Sequence, residues 1–87
     1  MTYTADINFY LYSNPNKPMR AYTLSNAPTL LEAKLLVWVL VEEIVKASTD
    51  SDGWVEVLYT SSNKQDDQTY VDSDEAFFKN GKLTCDW

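Results

Sequence analysis

The sequence predicts an α+β domain: an antiparallel sheet of about four to five strands with one main helix on one face. Three observations carry this. Tyr3 to Tyr12 alternates apolar and polar residues, Thr29 and Glu32 open a long helical pattern, and Trp54 to Ser61 alternates again. Residues 1–87 show no linker, repeat or composition break, so one domain is expected. With 45% hydrophobic and 14% aromatic residues but only two glycines, the chain can form a core and is not low-complexity.

Each element follows from its local pattern. In the first strand Tyr3, Ala5, Ile7, Phe9 and Leu11 share a side, which predicts one buried face. Ser13-Asn14-Pro15-Asn16-Lys17-Pro18 breaks it, and Met19 to Ser25 is extended, completing an antiparallel hairpin. The helix should run from Leu30 to about Ala47, with Thr29 as cap and Glu32 three residues on. Ser48 to Gly53 reads as a turn. Asp50-Ser51-Asp52-Gly53 has the look of a calcium-loop fragment, but the ligand register fails at both ends. Trp54 to Ser61 has an apolar member on both faces, as a central strand does. A polar loop over Ser62 to Asp67 should lead to a strand from Gln68 to Val71. Asp72-Ser73-Asp74-Glu75 resembles a second capping box, so Ala76 to Lys79 is expected as a short helix ended by Asn80-Gly81. A last strand over Lys82 to Trp87 completes the order β-β-α-β-β-short α-β.

Composition disfavours several functions. Histidine is absent, which removes Ser-His-Asp and Cys-His catalysis and the usual general base. Cys85 is the single cysteine, so neither a disulfide nor a His/Cys zinc site is expected. No phosphate-binding glycine motif occurs. We therefore expect no enzyme, no cofactor and no metal. A formal net charge of −6 disfavours direct contact with nucleic acid or an anionic membrane. The first residues lack a signal-peptide pattern, and the longest apolar run, Leu35 to Val41, is too short to span a bilayer. A cytoplasmic address, in a bacterium or a host cell, is the expectation.

Two features point to binding. Residues 42–87 hold eleven acids against four lysines, whereas residues 1–41 hold two acids against three cations. Glu42, Glu43, Asp50, Asp52, Asp66, Asp67, Asp72, Asp74 and Glu75 are either solvated turn and cap residues or an acidic face for a basic protein partner. Tyr10, Tyr12, Tyr22 and Tyr70 would add contact area typical of interfaces. The second feature is the helix. Its core side centres on Leu30, Val37, Val41 and Ile44, yet Leu35, Leu36 and Val39 interrupt the opposite side among Glu32, Glu43 and Lys46. Either Phe77, Phe78 and Trp87 cover them, or they form a self-association or partner surface.

The leading expectation is a non-enzymatic protein-binding module, an inhibitor or adaptor engaging a basic, nucleic-acid-binding site on a partner. In size, charge and compactness it resembles the small acidic anti-defence proteins of phages, of which the anti-CRISPR proteins are one group. That resemblance implies a protein that blocks host-defence or nucleic-acid enzymes, and no particular residue roles. The alternative is an assembly subunit that forms a homodimer or larger oligomer through the apolar back of the helix.

Overall fold

A computed structural model describes residues 2–49, 51–62 and 68–84, with Gln68 described by its backbone alone. Five strands and one helix follow in the order β1 (Thr2–Leu11), β2 (Arg20–Ala27), α1 (Leu30–Lys46), β3 (Asp52–Ser62), β4 (Gln68–Lys79) and β5 (Lys82–Leu83). They build one curled antiparallel sheet in the spatial order β2-β1-β3-β4-β5. No described helix is long and apolar enough to cross a membrane.

The alternation in β1 does what its pattern dictates. Ala5, Ile7 and Phe9 are fully buried, and they face Leu24, Tyr22 and Arg20 on β2 and Tyr59, Val57 and Val55 on β3. Helix α1 lies across this inner face and buries Ala33, Val37, Val41 and Val45 against it. Its start is held as expected: the Thr29 hydroxyl oxygen accepts the Glu32 N–H at 3.1 Å, satisfying one of the free amides of the first turn. At its end the Ala47 N–H donates to the Glu43 carbonyl and the Ser48 hydroxyl to the Ile44 carbonyl.

Three expectations are corrected. Residues 76–79 are not a short helix. They are the last part of β4, paired with β3 from Asp52↔Lys79 through Tyr59↔Asp72. The physical reason is a period of two: Ala76 and Phe78 point into the core while Glu75 and Phe77 point away, and a long neighbouring strand supplies the ladder. Asn80-Gly81 then forms a two-residue hairpin turn rather than a helix end. Both residues have positive φ, 51° and 79°, and Lys79 pairs with Lys82 across the turn.

The second correction concerns Gly53, which is a strand residue of β3 and not part of a turn. It pairs with Leu11 and Phe78, so close to β1 that a Cβ would collide with the Tyr10 carbonyl oxygen. Third, neither Phe77 nor Phe78 covers the back of α1. Phe78 is buried in the core, and Phe77 lies on the opposite face of the sheet. Of the expected loop over Ser62 to Asp67, Ser62 is the last residue of β3, paired with Thr2 and Gln68, and the rest, with Cys85 and Trp87 of the expected last strand, lies outside the described residues.

Sheet irregularities occur at two places. β2 carries one extra residue near Asn26, whose φ is 67°, and β4 carries one at Val71. The second bulge sets which face Tyr70 occupies.

Candidate interaction surfaces

The helix covers one face of the sheet, and among the described residues no element covers the other. Its side chains are read from register: Tyr10, Trp54 and Phe77 form one cross-strand row, and Asn8, Glu56 and Glu75 form the next. Tyr10 stacks on Trp54 with ring centroids 5.1 Å apart and planes 12° from parallel. Tyr12, just past β1, leans on Trp54 at 5.3 Å. The Trp54 indole N–H donates to Glu56 Oε2 at 3.3 Å. Glu56 and Glu75 face each other directly, and no ion pair among the described residues involves either. Further along this face Asp6 accepts a hydrogen bond from Thr23, Leu58 is exposed, and Tyr70 donates to Ser73.

The outer side of α1 is the second surface. Leu31, Leu35, Leu36 and Val39 are 68%, 57%, 53% and 57% exposed. Leu31, Leu35 and Val39 follow at four-residue spacing, and Leu36 sits beside them. Glu32 and Glu43, both exposed, stand at the two ends of this patch. Where α1 overhangs β4, Leu31, Lys34, Leu35, Trp38 and Asp74 line a shallow hollow of about 310 Å³.

Between helix and sheet lies a polar cluster. Lys34 Nζ sits 2.6 Å from Asp72 Oδ2 and 3.9 Å from Asp74 Oδ2, and 5.4 Å above the Tyr59 ring. The hydrogen bond to Asp72 raises the Lys34 amine above its usual pKa, helped by the charges of Asp74 and Asp72. The same bond, with the Ser73 N–H, holds the Asp72 carboxyl below the usual range. Burial pushes the Tyr59 phenol well above its ordinary value, and the Asp74 carboxylate, its hydrogen-bond acceptor, adds to this.

The acids expected at a single surface are distributed. Glu75 lies on the open sheet face, and Asp72 and Asp74 lie on the helix side of the same strand, engaged by Lys34. Glu42 pairs with Lys46 one turn along α1, at 3.8 Å, and Glu43 is exposed on the helix. Asp52 is exposed at the start of β3, while Asp50, Asp66 and Asp67 lie outside the described residues. Among the tyrosines, Tyr10 and Tyr12 come together. Tyr70 lies toward the far end of that face, and Tyr22 is on the helix side, edge-on to Phe9 at 6.0 Å. Leu35, Leu36 and Val39 do share one side of α1.

Sequence reasoning missed Trp54, Glu56, Phe77 and Leu31. The signal for Leu31 was its spacing of four from Leu35. That for Trp54 and Glu56 was the outward half of the alternation in β3. Phe77 was hidden by the helical reading of its segment. Compared with protein-family models, curated proteins and solved structures, the chain matches none.

Proposed function

We propose that this chain is a non-enzymatic protein-binding subunit that assembles with a second copy of itself through the outer side of α1. The observation that carries the reading is the patch of Leu31, Leu35, Leu36 and Val39, each more than half exposed. Apolar area withdrawn from water contributes about 25 cal/mol per Å². Contiguous apolar patches on protein surfaces commonly mark contacts. A two-fold axis through such a patch lets it meet its own copy, which is the commonest geometry of protein oligomers.

Sedimentation equilibrium over a wide concentration range tests this. The expected result is a species of twice the chain mass, which Leu35→Glu converts to a monomer with unchanged helix content. A strict monomer at high concentration overturns it.

A second reading is favoured by the open sheet face. There the chain acts as an inhibitor or adaptor that engages a basic partner protein, as the anti-CRISPR resemblance implies. The support is Glu56 and Glu75 standing beside Trp54 and Phe77, with Tyr10 and Tyr12 packed against Trp54. Basic peptides binding the chain at low salt and releasing it as salt rises would support that reading.

A further inference from the structure

We propose that the outer face of β3 and β4 is an arginine-binding surface: a guanidinium from a basic partner protein lies against Trp54 and Phe77 and bridges the Glu56 and Glu75 carboxylates. The proposal rests on the second reading above and names the partner group that this face would recognise.

Register places the four side chains as a square. Trp54↔Phe77 and Glu56↔Glu75 are directly opposed pairs on adjacent strands, two residues apart along each strand. Opposed Cβ atoms stand about 5 Å apart, and positions i and i+2 about 7 Å apart. One planar guanidinium can therefore lie against an aromatic ring while its fork reaches both carboxylates.

Two arguments favour a cation, and arginine over lysine. First, Glu56 and Glu75 are like charges directly opposite each other, an unfavourable cross-strand pair that no described cation relieves. A cation between them would turn that repulsion into attraction. Second, the neighbouring groups are rings, and the quadrupole of a ring face attracts cations. Guanidinium is planar, weakly hydrated and able to bond two carboxylates while stacking, whereas an ammonium is a compact, strongly hydrated point charge. The platform is also held in place: Tyr10 and Tyr12 pack on Trp54, and its indole N–H is anchored on Glu56. Less ordering is then needed on binding.

The test uses the full chain, ¹⁵N-labelled at low salt, titrated with three peptides of one sequence carrying arginine, lysine or citrulline at the same positions. The arginine peptide should shift the Trp54 indole N–H and the amides of Glu56, Glu75 and Phe77. The lysine peptide should bind several-fold more weakly, and the citrulline peptide, planar but neutral, should not bind. Trp54→Ala should weaken the arginine peptide by roughly tenfold. The double variant Glu56→Gln/Glu75→Gln, which removes a repulsive pair and so should keep its dispersed spectrum, should lose the shifts. Equal binding of lysine and arginine overturns the proposal. Shifts confined to other acids overturn it while leaving a basic partner in place. Silence with every basic peptide overturns both.

Discussion

At residue scale, the tightest constraint is Gly53. It lies where β3 passes β1, and a methyl group there would fall far inside contact distance of the Tyr10 carbonyl, a backbone atom that cannot rotate away. Gly53→Ala should therefore destabilise the fold by more than the ~1–3 kcal/mol of ordinary overpacking, as read from urea unfolding. Tyr59 makes a prediction of another kind. Its phenol is held neutral in the fold, chiefly by burial, so the folded pKa lies above the unfolded value of about 10. Stability from this group is intact below pH ~10 and falls above it, because only the unfolded chain releases the proton. Asp72 works in the opposite sense. Its depressed pKa contributes stability above pH ~4 that is lost as pH falls through the folded value. Urea midpoints against pH should show both limbs. Tyr59→Phe should flatten the alkaline limb and Lys34→Met the acid one.

At the scale of elements, the instructive segment is 72–81. Asp72-Ser73-Asp74-Glu75 has the residue types of a helix start, and Asn80-Gly81 those of a helix end, so local chemistry is satisfied by a short helix. It is satisfied equally by a strand and a tight turn. The long pairing of β4 with β3 selects the strand, since two helical turns alone would be marginal. The two alternatives respond differently to substitution. In the hairpin turn both Asn80 and Gly81 need positive φ, so Asn80→Ala should cost about 1 kcal/mol and Asn80→Gly little, by thermal unfolding. A helix ending there would require left-handed backbone at Gly81 alone and would tolerate alanine at position 80.

For the whole molecule, shape explains why two surfaces compete for a role. The chain measures 43 × 24 × 17 Å, one sheet and one helix thick, so among the described residues each layer has a side that no other element covers. The rings of Tyr10, Tyr12, Trp54 and Phe77 and the opposed Glu56 and Glu75 carboxylates stand on the outer side of the sheet, and four aliphatics on the outer side of the helix. The two surfaces face opposite ways. A dimer formed through α1 would leave both sheet faces free, and Leu35→Glu should abolish the dimer in sedimentation without changing the response of Trp54 to an arginine peptide. Salt should separate them further: the aliphatic contact is strengthened or unchanged by moderate salt, whereas the carboxylate contact weakens.

The main helix, with its cap at Thr29, the hairpin of β1 and β2, and the alternation of β3 were legible in the sequence, because each is written in local periodicity and turn chemistry. So was the apolar back of α1, since a helical wheel needs only the residue spacing. Tertiary structure alone decided the fate of 72–79, where two periodicities were both permitted and only a neighbouring strand could choose. It also decided the grouping of charge. Neighbours in sequence such as Asp74 and Glu75 project to opposite faces of one strand, while Glu56 and Glu75, far apart in the chain, meet across two. Which side chains share a surface depends on strand register. Long-range pairing sets that register, and no local pattern encodes it.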